Sequence, residues 1–315
     1  MAAVLVTGGA GFIGSHLVDA LLSEGHAVRI VDNFATGFRR NIEHHGSRIQ
    51  TIEADLSSPD NAKSVCRDIE FVFHLAALPS VPRSVDDPFA TQRAGECATL
   101  RLLDACAEHR IRRVIFAGSS SAYGGTEGLP KTESMLPIPM SPYAAGKLAC
   151  EHYITAFSRY KGVDGITLRY FNVFGPRQDP ASRYSAVIAV FLNCMLRAER
   201  PQIFGDGEQS RDFTYVDNVV RANLLAMRAP GQFKGTVCNV GCGERISLIS
   251  LVAALNTALG TTLEPTFSPS RASDARHSLA DIRRARELFG YLPIVKFTEG
   301  IKRLVQSTCS GQQPT

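Results

Sequence analysis

Tyr143 and Lys147 stand four residues apart in Ser141-Pro142-Tyr143-Ala144-Ala145-Gly146-Lys147, a spacing that puts a phenol and an ammonium on one face of a helix. A free phenol ionises near pH 10 and is a poor base at neutral pH. An ammonium close by favours the phenolate and brings it into the range where it can take a proton from a hydroxyl. Tyrosine–lysine pairs at this spacing are common, so the pair alone carries little. Upstream, Gly118-Ser119-Ser120-Ser121-Ala122-Tyr123-Gly124 follows an apolar strand, and a hydroxyl there could hold a reacting oxygen beside the phenol. Read alone, these serines are a turn. Read with Tyr143 and Lys147, they describe a catalytic site.

A second motif lies at the start of the chain. Gly8, Gly11 and Gly14 in Thr7-Gly8-Gly9-Ala10-Gly11-Phe12-Ile13-Gly14 have the GxxGxxG spacing, between a strand at Val4–Thr7 and a helix at Phe12–Glu24. A dinucleotide pyrophosphate needs this combination: a tight turn, close backbone approach, and a helix N-terminus aimed at negative charge. The strand before and helix after separate it from an ordinary glycine-rich turn. Asp32 ends the second strand, where its carboxylate can accept from adenosine ribose hydroxyls and would repel a 2′-phosphate. NAD is therefore expected rather than NADP. Arg39 and Arg40 could favour NADP but read as solvated. Asp55, in Ala54-Asp55-Leu56, could meet the adenine amino group, or simply cap a helix. A cationic nicotinamide beside Tyr143 would add to the effect of Lys147 on the phenol.

The elements that must carry these residues alternate strand and helix. Strands are expected at Ala27–Asp32, Ile49–Glu53, Phe71–Leu75, Arg113–Ala117 and Ile166–Tyr170, and a long helix at Tyr143–Lys161. The strands are continuous apolar runs, the mark of a parallel sheet covered on both faces. A Rossmann-type, doubly wound α/β sheet follows, with ligands at the carboxyl ends of its strands. Beyond Phe171, glycine and proline grow denser and the regular repeat stops. Helices are expected at Asp217–Met227, Leu248–Leu259, Leu279–Leu288 and Phe297–Val305, a strand at Thr236–Val240, and a frayed tail over Gln306–Thr315. Residues 1–172 thus form the NAD-binding domain, to which the chain is expected to return at 213–240. Residues 173–315 form mainly a smaller C-terminal α/β substrate-binding domain.

Net charge is +4, with only the pairs Arg112-Arg113 and Arg283-Arg284 standing out, which does not argue for nucleic acid. The eight cysteines lie scattered with no CxxC pair, so free thiols in a reducing cytoplasm are expected, not zinc or disulfides. No apolar stretch reaches the roughly 20 residues of a membrane helix, and the N-terminus lacks a basic signal-like start.

Together these motifs resemble the extended short-chain dehydrogenase/reductase family, within it the UDP-hexose 4-epimerases, and especially the branch acting on UDP-N-acetylglucosamine. The resemblance runs through Thr7–Gly14, Asp32-Asn33, His74-Leu75-Ala76-Ala77, Ser119–Gly124, Tyr143–Lys147, Leu168–Gly175, Gly205–Asp217 and His277–Asp281. It implies that Tyr143 takes the sugar O4 proton, Ser119 binds the same oxygen, and Lys147 holds the nicotinamide ribose. Hydride leaves C4 for NAD, the 4-keto sugar turns over, and hydride returns to its other face. Phe12, Ile13, Asn33, Leu56, Leu75, Ala76, Ala77 and Tyr170 join the cofactor contacts. On the substrate side the resemblance implies Ser120, Ser121 and Val187, with Asn172, Arg211 and Arg271 at the diphosphate, where guanidiniums suit a dianion. Ser278 stands where a tyrosine restricts relatives to non-acetylated sugars, so UDP-GlcNAc and UDP-GalNAc are expected substrates, with UDP-Glc and UDP-Gal as further ones. A homodimer through paired helices is also implied, although Leu100, Leu103 and Ala107 would equally suit packing on the sheet.

Three positions depart from the pattern: Gly95 replaces an asparagine on the cofactor side, Pro79 a lysine and Ser273 a glycine. A 4,6-dehydratase would carry an Asp–Glu pair at Ser120 and Ser121, because elimination needs that extra acid and base. Uronic acid epimerisation or decarboxylation stays open on sequence grounds, as does a net dehydrogenase that consumes external NAD. A non-catalytic NAD-binding protein would typically have lost Tyr143 or Lys147, and both are present.

Overall fold

In the first strand, Val4, Leu5 and Val6 are all fully buried, yet Val4 and Val6 enter one core and Leu5 the other. A strand whose two faces are both covered has no use for polar alternation, which explains the unbroken apolar run. The computed structural model describes residues 1–179, 187–270 and 276–310. Seven parallel strands make the central sheet: β1 (Ala3–Thr7), β2 (Ala27–Asp32), β3 (Ile49–Glu53), β4 (Phe71–His74), β5 (Arg113–Ser119), β6 (Gly165–Tyr170) and β7 (Thr236–Val240). Their order is β3-β2-β1-β4-β5-β6-β7, so direction reverses between β1 and β4. A crevice at the strand ends is expected at that point.

Helices cover both faces. On one side lie α1 (Phe12–Ser23) and a later helix over Val216–Arg228, which pack against each other. On the other lie α2 (Pro59–Val65), α5 (Ala98–Glu108) and α6 (Pro142–Tyr160), reached after the short α3 (Val81–Asp86) and α4 (Pro88–Gln92). The rest of the chain supplies α7 (Val187–Leu196), α8 (Val216–Arg228), α9 (Leu248–Leu259), α10 (Arg283–Phe289) and α11 (Phe297–Ser310). Around them run short pairings: Val173–Phe174 with Thr214–Tyr215, Gln202–Phe204 with Thr266–Ser268, and Ser210–Arg211 antiparallel to Ile246–Ser247. β7 pairs with β6 over five residues, so residues far along the chain complete the first sheet.

The return is held from below by one cation. Arg113, at the foot of β5 and 4% exposed, donates from Nε to Asp164 (2.7 Å). Its remaining N–H groups reach the carbonyls of Ala226, Met227, Ala229 and Gly231. Ala226, Met227 and Ala229 carry the carbonyls at the end of α8, where a helix concentrates partial negative charge.

Three sequence expectations need correction. The helix expected at Leu279–Leu288 begins only at Arg283, because Lys131 N donates to Leu279 O (2.7 Å), Ala280 N to Asp212 (3.0 Å) and Asp281 N to Lys131 O (2.9 Å). Those tertiary bonds keep 279–281 extended. The expected fraying from Gln306 is wrong as far as Ser310: α11 continues because Phe297, Ile301, Leu304 and Val305 bury one stripe. Residues 311–315 lie outside the described ones. The fifth strand runs two residues past Ala117 to Ser119, which brings the serine into the sheet. All eight cysteines are free, and among the described residues no helix is long and apolar enough to cross a membrane.

Candidate active site

The carboxyl ends of β1, β2, β4 and β5 open on one cleft of about 520 Å³. Its floor is built by glycine. Gly8 has φ +68°, and a Cβ there would stand 2.9 Å from the backbone of Ala76; one at Gly14 would stand 2.2 Å from the Gly8 carbonyl oxygen. The chain therefore approaches itself as closely as backbone allows, leaving room above it. No side chain caps α1 and its first turn holds no acid. Its leading N–H groups are free for an anion, as a pyrophosphate requires.

Asp32 closes β2 on the cleft wall. Its carboxylate accepts from Ala10 N (2.9 Å) and Phe34 N (2.8 Å), which fixes its direction. Burial pushes this carboxyl up, and the two N–H bonds pull it back down. Each oxygen keeps a lone pair for a ribose hydroxyl. Arg39 is ion-paired to Glu53 and lies 4.2 Å over the Phe34 ring, and Arg40 lies 4.3 Å over Phe38. Neither side chain lines the cleft. Asp55 turns the chain into α2 by accepting from Ser57 N (2.8 Å), and it lines the cleft as well.

Behind the floor, a chain of hydrogen bonds joins β1 to β4. Thr7 Oγ1 accepts from Leu75 N and Ala76 N (both 3.1 Å) and meets His74 Nδ1 at 2.8 Å; His74 Nε2 meets Thr99 Oγ1 at 2.9 Å. With two N–H groups already donating to it, the Thr7 hydroxyl gives its proton to Nδ1, which leaves the His74 proton on Nε2. Burial pushes this imidazole down to about 3, so it is neutral.

Tyr143 and Lys147 come from the first turns of α6. Ser141 caps this helix by accepting from Ala144 N (3.2 Å), and Pro142 occupies its first position. Ser119 lies beside the Tyr143 phenol, and Ser121 donates to the Ser119 hydroxyl at 2.8 Å. Burial raises the phenol, while the neighbouring Ser119 hydroxyl lowers it. Lys147 does not touch the phenol. Its Nζ donates to Ala117 O (2.8 Å) and lies 4.8 Å over the Phe116 ring, and burial lowers its ammonium. Its remaining protons are available to a ligand in the cleft.

All of the cofactor-side positions expected from sequence, from Gly8 to Tyr170, line this cleft together with Tyr143 and Lys147. Tyr170 does so with its ring, for its hydroxyl is bound to Asn223 (2.8 Å). Of the expected substrate positions, Tyr143 lines the cleft too, while Asn172, Val187, Arg211 and Ser278 lie outside it. Asn172 donates to Asp212 O (3.2 Å), next to Arg211, whose Nη1 reaches the Ser210 and Arg276 carbonyls. Ser278 N donates to Ser210 O (3.0 Å), so Ser278 and Arg211 share one stretch of backbone. Asp212 fastens this stretch by accepting from Cys242, Gly243 and Ala280 N–H groups, and burial pushes its carboxyl up to about 6. Val187 begins α7. Arg271 and Ser273 lie outside the described residues.

Sequence reasoning missed several lining residues, notably Phe34–Phe38, Arg83 and Arg177–Asp179. Arg177 is anchored to Asp19 at 2.8 Å. The Gly175-Pro176 loop signal just before it marked a turn, but not the wall it faces.

A doubly wound sheet with a glycine cradle at its switch point and a tyrosine–lysine helix beside it defines a dinucleotide-dependent enzyme. Residues 4–241 match the model of the NAD dependent epimerase/dehydratase family, and the chain belongs to that family. It is 39% identical over 306 residues to a UDP-glucose 4-epimerase of Mycolicibacterium smegmatis, covering 96% of this chain and 97% of that one. A solved UDP-N-acetylglucosamine 4-epimerase from Methanobrevibacter ruminantium, in complex with UDP-N-acetylmuramic acid, superposes with TM-score 0.94 at 40% identity, over 99% of both chains. The UDP-glucose 4-epimerase of Thermus thermophilus, solved with NAD, gives TM-score 0.88 at 35% identity, over 97% of this chain and 98% of that one.

Proposed function

We propose that this chain is a UDP-hexose 4-epimerase that keeps NAD bound, with UDP-GlcNAc and UDP-GalNAc as its substrates and UDP-Glc and UDP-Gal turned over as well. The observation that carries the reading is Tyr143 on the wall of the glycine-floored cleft, beside Ser119 and together with Lys147. Gly8–Gly14 would hold the pyrophosphate, Asp32 the adenosine ribose, Asp55 and Leu56 the adenine, and Lys147 the nicotinamide ribose. NAD held there would supply the reversible acceptance of a hydride from a sugar carbon.

The protein's own part is to move one proton and to fix one oxygen. Tyr143 takes the O4 proton as C4 is oxidised, keeps it while the sugar turns, and returns it. Burial holds the phenol above its usual range, and the positive charge of a bound cofactor would bring it down toward working range. Ser119, itself oriented by Ser121, holds O4 against the phenol. Asn172, Arg211 and Arg271 are assigned to the diphosphate, which must stay fixed while the hexose rotates. Ser278 leaves room for an acetamido group. A homodimer in a reducing cytoplasm completes the proposal. Leu103 does not support the dimer, since it is buried against the sheet, so sedimentation has to decide it.

The test is incubation with UDP-GlcNAc, UDP-glucose and UDP-glucuronate in separate tubes without added NAD, followed by proton NMR. Formation of UDP-GalNAc is expected. A 4-keto-6-deoxy sugar or a pentose product would overturn the proposal. Tyr143→Phe should lower turnover by about 10²- to 10⁴-fold while the protein still carries dinucleotide.

A further inference from the structure

Between α4 and α5 the chain makes one π-helical turn, Arg93–Cys97, in which Glu96 directly follows the unusual Gly95. Such a bulge inserts a residue into a helix and re-aims its neighbours, and it recurs at functional sites. Here it aims a carboxylate at the catalytic helix. A Cβ at Gly146 would meet Glu96 Oε1 at 2.8 Å and Oε2 at 2.9 Å, so the carboxylate lies flat on α6 between Tyr143 and Lys147. It borders a cavity of about 10 Å³ with Thr99, Phe116, Tyr143, Lys147 and Cys150, which is room for one water.

The groups around the Lys147 ammonium can be sorted by charge. From β4, His74 is neutral, and from β5 come only the Phe116 ring and the Ala117 carbonyl. On α6 itself, burial holds the Cys150 thiol up at about 11, so it is neutral too. Glu151 is bonded through both carboxylate oxygens to Arg169, its closest contact 2.7 Å. Glu96, from the π turn, is the carboxylate in this set with no cation of its own; burial pushes its carboxyl up and Lys147 draws it back down, while the Lys147 ammonium is lowered by burial and raised by Cys150, Glu151 and Glu96, in that order.

We propose that Glu96 is a positioning residue for the reaction, its carboxylate holding the Lys147 ammonium charged and in place behind Tyr143 across the one-water cavity. The proposal rests on the epimerase reading for its kinetic consequence, but the contact itself does not. Removing the anion favours neutral Lys147, so its titration must move to lower pH.

The test compares the protein with Glu96→Gln and with Gly146→Ala, whose added methyl would displace the carboxylate. In Glu96→Gln the alkaline limb of kcat should move to lower pH by roughly half a pH unit, with KM nearly unchanged. Gly146→Ala should shift it the same way by less, and Glu96→Asp should restore it in part. NMR of ε-¹³C-lysine should show the Lys147 signal titrating lower in the same order, without reference to turnover. Coincident alkaline limbs and lysine titrations in both Glu96→Gln and Gly146→Ala overturn the proposal; if Glu96→Gln does not fold, Gly146→Ala decides alone. If the unmutated protein converts no nucleotide sugar, the epimerase reading falls, while the lysine titration still decides the role of Glu96.

Discussion

The two sides of the candidate site are held in different ways. On the cofactor side, Gly8, Asp32, His74 and Ser119 stand at the ends of four neighbouring parallel strands, and backbone N–H groups orient Asp32 and Thr7. On the proposed sugar side, Arg211 sits on a two-residue strand and Ser278 next to the single Ser210–His277 bridge, fastened by the buried Asp212 carboxylate. Strands paired on both sides fix the position of the residues at their ends; a laced loop can be rebuilt one residue at a time. The division suits an enzyme whose cofactor stays while its sugar must rotate. It also places the means of changing specificity where substitution disturbs the sheet least.

That contrast can be broken at three points, from the largest expected effect to the smallest. Gly14→Ala should cost at least about 100-fold in dinucleotide retention, because its methyl would collide with the Gly8 backbone, which cannot give way cheaply. Measured by the absorbance of cofactor released on denaturation, full retention would show that the cradle is softer than its geometry implies. Ser278→Tyr should reduce turnover of UDP-GlcNAc by about 10-fold or more and leave UDP-glucose within about twofold, without loss of cofactor. An equal fall on both sugars would mean that the loop is not a module separate from the cofactor side. The smallest effect concerns His74. Its folded value of about 3 lies below its ordinary 6.5, so its share of stability is complete above pH 6.5 and is lost as pH falls toward 3. The slope should reach about 1.4 kcal/mol per pH unit in that window. Urea midpoints across pH 4–7 should be flatter for His74→Gln than for the parent chain.

Much of this was legible in the sequence because it is local. β2, β3, β7 and α9 run over the very residues their apolar patterns mark, and the glycine spacing carries its own geometry. What was hidden depends on partners distant in the chain. Residues 279–281 have helical composition, but Lys131 and Asp212 hold them extended. The buried Ile188, Phe191, Leu192 and Met195 of α7 have helical spacing, yet the dense glycine and proline around them masked it. Glu96 was invisible as a site residue, since nothing in Arg93-Ala94-Gly95-Glu96-Cys97 announces a π turn. The effect of Lys147 on Tyr143 was read too directly: four residues of spacing brought both to the cleft, but not into contact.

Arg113 has a consequence for the newborn chain. When residues 1–175 have left the ribosome, six of the seven strands and the whole glycine cradle exist. The outer edge of β6 is nevertheless open, and the guanidinium beneath β5 lacks the four carbonyls it will later hold. An unpaired edge of this kind invites pairing with the wrong chain. Residues 226–240 act as a late clasp, and a nascent polypeptide stalled before them should be caught by chaperones rather than by NAD.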